Sequence, residues 1–304
     1  MPITHRVRRS LAPACASMLV ALVLVGGSPT TAAGVVAVPG PRSARPAASE
    51  RERPAVGRED PPEPVPCVGC WQPDLVTSWQ WQLQGRVDTS FDVQMYDIDG
   101  FEATRSLVSS IHSNGAAAVC YIDVGSWENW RPDAGRFPAR VLGRSNGWKG
   151  ERWLDIRRMG VLAPLMRGRL VMCADKGFDG VELDLVDGYQ NRTGFPLTGA
   201  DQRRYNIFLA NEAHRLGLSV ALKNDLGQIE ALLPYFDYAL NEQCHRYHEC
   251  DRLDAFVEAG KAVFGVEYGM KASEFCGQSN EHDFNFLKKD LDLRALPRVP
   301  CRGA

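Results

Sequence analysis

Seven short runs of strand character recur between residues 77 and 268, and this recurrence restricts the fold of the 304-residue chain more than any other feature. They read TSWQWQLQ (77–84), FDVQMYDID (91–99), AAAVCYIDVG (116–125), GVELDLV (180–186), LSVALKND (218–225), FDYALNE (236–242) and KAVFGVEY (261–268). Stretches with helical spacing separate most of them: FEATRSLVSSIHSNG after the second, TGADQRRYNIFLANEAHRLG after the fourth and CDRLDAFVEAG after the sixth. Gly115, Gly217 and Gly260 close these three segments, as glycine does at helix C-termini. Strand, helix, strand in repetition imposes parallel pairing, because neighbouring parallel strands must be joined by a crossover.

Two α/β architectures satisfy that rule. An open doubly wound sheet places a glycine-rich phosphate loop after its first strand, and none is present. A (β/α)8 barrel builds its site from the ends of many strands, and here polar residues gather at nearly every strand end. The expected fold is therefore a (β/α)8 TIM barrel in a single domain. Its eighth strand has to come from DFNFLKKDLDLRALPRVPC, whose alternation is poor.

Arg6, Arg8 and Arg9 precede the apolar segment Ala16 to Val25, and small residues then offer a cleavage site near Ala33. Residues 1–33 are expected to be a secretory signal peptide, its apolar run too short to span a membrane. Residues 34–66, rich in Pro, Arg and Glu without apolar period, are expected to be a disordered linker, which leaves 67–304 as the barrel domain. Secretion implies an oxidising compartment, so the cysteines beyond Cys15 are expected in disulfides, with Cys244–Cys250 and Cys276–Cys301 as the local pairings. Zinc is the alternative at CHRYHEC (244–250), although its spacing departs from the usual two-Cys, two-His patterns. A net charge of -2 shows no polybasic excess, which argues against nucleic acid as a partner. No membrane association after cleavage is expected, and a monomer is.

GFDGVELDLVDGY (177–189) places Glu182, Asp184 and Asp187 in an apolar run, although a buried ionised carboxylate is costly unless something pairs or uses it. Alternation along a strand turns Val181, Leu183 and Leu185 toward the helices, and Glu182 and Asp184 toward the barrel axis. Asp184 then sits near the C-terminal end of its strand and Asp187 in the loop beyond, where barrel enzymes keep their reacting groups. Glu182 is expected to pair with Lys223. The same reading collects Trp79 and Trp81 on the first strand, Tyr96, Asp97 and Asp99 on the second, and Tyr121 and Asp123 on the third. Lys223, Asn224 and Asp225 end the fifth, Asn241, Glu242 and Gln243 the sixth, Glu267 and Tyr268 the seventh. Packing accounts for at least one of the tryptophans, turn or cap roles compete for Asp97 and Asp99, and His245 and His248 read as loop residues. Asp184 and Glu242 are the hardest to explain by packing. Rings that stack on sugars, beside carboxylates that donate, accept or attack, are what glycoside cleavage requires.

The blocks DGVELDLVDGY, ALKND, LNEQCHRYHEC and VFGVEY, in this order and spacing, resemble glycoside hydrolase family 114, the endo-α-1,4-polygalactosaminidase family, over roughly Trp79 to Cys301. The resemblance implies a (β/α)8 barrel and a secreted enzyme that cleaves α-1,4-linked galactosamine polymers. It makes Asp184 and Glu242 the catalytic pair, Glu242 as acid and Asp184 as nucleophile or the reverse, with no metal or other cofactor. One departure is visible: the family often carries Asp-Asn-Val-Asp where this chain has Asp184, Leu185, Val186 and Asp187. The expected substrate contacts are Trp79, Tyr96, Asp97, Asp99, Tyr121, Asp123, Asp187, Tyr189, Lys223, Asn224, Gln243 and Glu267, the acids among them attracting a cationic polysaccharide. A hydrolase of another α-glycan and a carbohydrate-binding barrel without turnover are the alternatives. Metal-dependent hydrolysis is opposed by the lack of a His cluster at the strand ends.

Overall fold

The computed structural model describes residues 61–302, so the expected signal peptide and the expected linker up to residue 60 lie outside the described residues. In chain order the strands are β1 (Trp79–Gln82), β2 (Met95–Asp99), β3 (Ala117–Asp123), β4 (Ser126–Glu128), β5 (Glu151–Trp153), β6 (Gly180–Asp184), β7 (Ser219–Lys223), β8 (Tyr238–Glu242), β9 (Val263–Glu267), β10 (Asn285–Lys288) and β11 (Val299–Pro300). β4 and β5 pair with each other, antiparallel. The rest form one sheet in the order β1-β2-β3-β6-β7-β8-β9-β10-β11, parallel throughout except at β11. All seven expected strands are present, and the eighth parallel strand, β10, lies in the weakly patterned tail as expected. It is only four residues long, too short to show its period.

The helices are α1 (Arg105–Ser113), α2 (Met159–Lys176), α3 (Gly199–Arg215), α4 (Ile229–Leu232), α5 (Cys244–Tyr247), α6 (Asp254–Glu258) and α7 (Ala272–Glu281). Local chemistry sets several of their ends. Thr104 accepts the Leu107 amide at the start of α1, and Thr198 and Asp201 cap α3 reciprocally. α2 left no helical signature in the sequence, because Pro164 and two glycines interrupt it and its apolar residues form no clean stripe.

Two apolar layers follow from the alternation along the strands. Ile98, Cys120, Ile122, Val181, Leu183 and Leu222 pack outward against the helices. Trp79, Trp81, Met95, Val119, Tyr238, Leu240, Phe264 and Val266 fill the inside. No ladder joins β1 to β10 among the described residues, and side chains close that seam. The Trp79 indole donates to Asn285 O at 2.8 Å, Arg298 donates to Trp79 O at 2.9 Å, and Lys289 donates to Gln80 Oε1 at 3.0 Å.

Disulfides join Cys67–Cys70, Cys120–Cys173, Cys244–Cys250 and Cys276–Cys301, including both locally expected pairs. The thiols of CHRYHEC are thereby bonded to each other. His245 spends its ring nitrogens on Gln278 and Ser279, so that segment is a stapled loop. The packed chain begins ahead of the expected boundary at Cys67. Residues 62–65 lie along the barrel, where Asn211 and His214 of α3 and the Tyr235 hydroxyl bind their backbone.

Candidate active site

Lys223, at the end of β7, is the centre around which the site is built. It is buried, and its Nζ lies 2.6 Å from Glu182 Oε1, 3.2 Å from Asp184 Oδ1 and 3.4 Å from Glu242 Oε2. Its ammonium also lies 4.7 Å from the centre of the Trp81 ring. The Tyr121 hydroxyl donates to Asp184 Oδ2 at 2.8 Å, and the Tyr268 hydroxyl donates to Glu242 Oε1. Asn224 holds Glu242 from two sides: its amide reaches Glu242 Oε2 at 3.4 Å, and its Oδ1 accepts the Glu242 backbone N–H at 2.9 Å.

The residue that follows each of these three strand-end side chains is left-handed: Leu185 after Asp184 (φ 58°), Asn224 after Lys223 (φ 51°) and Gln243 after Glu242 (φ 67°). Such conformations cost about 1–3 kcal/mol each and persist only where the surroundings enforce them, which makes them markers of a functional rim. Asparagine adopts this region more readily than leucine, so Leu185 holds the conformation at the greater cost. The ends of β3 and β6 meet closely here. Val124 and Gly125 both donate to Asp184 O, and a Cβ on Gly125 would fall 1.8 Å from the Leu185 carbonyl oxygen.

Charge at the site is set by competition between burial and partners. Burial opposes the charge of Asp184, but Lys223, the Tyr121 hydroxyl and the Leu185 backbone outweigh it and hold its pKa below the usual carboxylate value. Burial likewise opposes the Lys223 ammonium, and Asp184, Glu182 and Glu242 override it. Glu182, deepest of the three, is pushed upward by burial, against the pull of Lys223. At the rim, burial and then the Asp184 charge raise Asp187 to about 6. The site at neutral pH is an ionised Asp184 held against a fixed cation.

Above this floor opens a cleft of 280 Å³. Of the residues expected there, it is lined by Tyr121, Asp184, Asp187, Lys223, Asn224 and Glu242. The others lie elsewhere, each with a reason. Trp79 is buried at the barrel seam, and Tyr96 faces the helices, its hydroxyl bound to Phe91 O at 2.8 Å. Asp97 is fully buried beneath the floor. Asp99 is gripped by both terminal nitrogens of Arg131 at 3.0 and 2.8 Å and caps the Phe101 and Glu102 amides, the cap role that competed for it. Asp123 turns back to the Gly125 and Ser126 amides, and Glu267 accepts the His245 and Arg246 amides at the start of α5. Gln243 begins α5, and Tyr189 contacts Asp225 and Gln228 outside the cleft.

The sequence reading missed one wall altogether. Between β3 and α2 the β4–β5 hairpin and its connection bring Asn146, Trp148, Glu151 and Trp153 to the cleft, with Trp81, Leu83, Leu185, Val186, Asn191 and Leu293 completing the lining. Buried arginines tie this insertion to the barrel: Arg131 joins Glu128 to Asp99, and Arg169 joins Asp133 to the end of β3. One signal was available, since four of the 7 tryptophans fall within residues 127–153.

A parallel eight-stranded barrel with carboxylates and aromatic rings gathered at its C-terminal strand ends is the architecture of a barrel glycoside hydrolase. The family model described as Glycoside-hydrolase family GH114 matches residues 67–303, and this chain belongs to that family. Among solved structures it is similar to Aspergillus fumigatus Ega3, crystallised in complex with galactosamine: 37% identity, a TM-score of 0.72, and coverage of 76% of this chain and 97% of that one. The glycoside hydrolase domain of PelA from Pseudomonas aeruginosa shares the fold at 15% identity and a TM-score of 0.58, covering 73% and 97% of the two chains. No curated protein matches this chain. No helix of the described residues is long and apolar enough to cross a membrane.

Proposed function

We propose that this glycoside hydrolase is a secreted endo-acting enzyme that cleaves α-1,4-linked galactosamine polymers by a retaining mechanism, with Asp184 as nucleophile and Glu242 as acid and base. The observation that carries this reading is the single ammonium of Lys223 lying between Asp184 and Glu242 in a chain 37% identical to a protein solved with galactosamine. That ammonium reaches both carboxylates at 3.2 and 3.4 Å, so the facing oxygens are no farther apart than these two distances end to end. Retaining pairs lie roughly 5–5.5 Å apart and inverting pairs roughly 6.5–9.5 Å, so this limit spans the whole retaining range and only the lower edge of the inverting one.

In the first step Glu242, steadied by Tyr268 and Asn224, donates its proton to the glycosidic oxygen while Asp184 attacks the anomeric carbon. Tyr121 and Lys223 hold Asp184 ionised and aimed. The glycosyl–Asp184 ester carries no charge, so Lys223 then faces Glu242 and Glu182 alone while Glu242 takes a proton from the water that releases the sugar. A polycation suits this cleft because Glu151, Asp184, Asp187 and Glu242 surround it and Lys223 is the only cation among the described residues of its lining. The acidic field is narrower than the sequence implied, since Asp97, Asp99, Asp123 and Glu267 are used elsewhere.

The test is incubation of the secreted protein with a partly deacetylated galactosamine polymer, following reducing ends, product masses and the anomeric configuration of the first product. Mixed oligomers with retained configuration are expected, with activity reduced by at least about 10²–10⁴-fold in Asp184→Asn and Glu242→Gln. Release of monomer alone would remove the endo assignment, and cleavage of only a neutral α-glycan would remove the substrate.

A further inference from the structure

Beneath the catalytic floor the barrel holds two carboxyl groups whose hydrogen bonding cannot close if both are ionised. Asp97 of β2 is fully buried, and neither of its oxygens meets an N–H or hydroxyl donor. Glu182 of β6 is equally buried. Its Oε1 accepts Lys223 Nζ at 2.6 Å, and its Oε2 meets no such donor. The two carboxyls face each other across β3, within hydrogen-bonding reach. The other ionisable groups acting on the pair are the Tyr121 phenol on β3, Asp184 on β6, Lys223 on β7 and the Tyr238 phenol on β8.

Buried polar atoms in folded proteins find partners, so three orphaned oxygens in one place demand an explanation. One proton partners two of the three. A protonated Asp97 becomes a donor, its O–H fills Glu182 Oε2, and Glu182 keeps a single negative charge for Lys223. The alternative, two ionised carboxylates in contact and away from water, is the arrangement that like-charge repulsion and desolvation both oppose.

We propose that Asp97 is a buried carboxylic acid that stays protonated over the working pH range and acts as a positioning residue, fixing the Lys223 ammonium between Asp184 and Glu242 by way of Glu182. This rests on the assignment of Asp184 and Glu242 as the reacting pair. Burial and the Glu182 charge both raise the Asp97 pKa, in agreement with the geometry. The arrangement has a use in the reaction cycle. Once Asp184 is esterified, Lys223 loses one of its anions, and a Glu182 anchored from below by Asp97 holds the cation in place for the second step.

Difference infrared spectroscopy on the full chain at neutral pH, wild type against Asp97→Asn, reads the proton directly. The expected result is a carboxylic-acid C=O band in the wild type that is absent from the variant. Asp97→Asn keeps an N–H donor at Glu182 Oε2, so KM and the shape of the pH profile stay those of the wild type. Asp97→Ala removes the donor and is expected to lower kcat about tenfold to a hundredfold at unchanged KM, the scale of one charge-assisted hydrogen bond. A residue of structural importance alone would lower Tm without that split between kcat and KM. Absence of the acid band, or an Asn variant as impaired in kcat as the Ala variant, overturns the proposal. The infrared band is read without substrate, so a chain inactive on galactosamine polymers would refute the proposed function and leave this test standing.

Discussion

Lys223 shows how much one side chain decides at this site. It touches three carboxylates and an indole ring, and all four arrangements depend on its charge. Lys223→Met keeps the stem against Trp81 and removes the ammonium, which strands Glu182 and Asp184 in a buried position. The expected outcome is a loss of about 3–5 kcal/mol in stability, the usual scale for one half of a buried pair, read by denaturant unfolding. Activity should fall by at least about a hundredfold, since the charge on Asp184 would no longer be held in place. Asp187 carries a pH dependence of opposite character. Its folded pKa of about 6 lies above the ordinary value of 3.8, so the folded protein binds this proton more tightly than the unfolded chain does. The resulting stability is complete below the unfolded value and is lost as pH rises through about 6. Asp187→Asn should therefore raise Tm at pH 7 and leave it nearly unchanged at pH 4. The same ionisation strengthens the cleft for a cation, so KM for a galactosamine polymer should fall as pH rises through this range in the wild type and stay flat in the variant.

At the scale of elements, the strands were legible and the insertion was not. Seven runs of 7 to 10 residues with period-two alternation sit where β1 to β3 and β6 to β9 are found, because each must present one face to the helices and another to the axis. The β4–β5 hairpin has only three residues in each strand, too few to show a period, yet it supplies a whole wall of the cleft. α2, which follows that insertion, is bound back to β3 by the buried Cys120–Cys173 disulfide across 53 residues of chain. Replacing both cysteines with alanine should cost about 2–5 kcal/mol, measured as a lowered denaturation midpoint, by restoring freedom to a long unfolded loop. The Cys244–Cys250 staple begins two residues after Glu242 and fixes how the chain leaves the site.

For the molecule as a whole, the closure of the barrel is its least regular feature. β1 and β10 are joined by Trp79, Arg298 and Lys289 side chains in place of a ladder, so fewer backbone amides are locked there than between β6, β7 and β8. Local opening favours regions with fewer buried backbone bonds. Amide exchange should therefore be faster along β1 and β10 than along β6 to β8, and equal protection around the whole sheet would contradict this account of the seam.

What the sequence determined by itself is the part governed by periodicity. Alternation is local, so it assigned Glu182, Asp184, Lys223 and Glu242 to the inside of a parallel barrel, and the strand-end rule singled out Asp184 and Glu242. It could not assign depth or partners. Asp97 and Asp184 both face the axis, yet one lies sealed below the floor and the other opens on the cleft, because depth depends on how neighbouring strands are staggered. Asp99, Asp123 and Glu267 look like Asp187 in sequence but are taken up by Arg131, Ser126 and the start of α5. Those partners sit on loops and turns whose paths no period encodes, so only the tertiary structure decided which acids open on the cleft.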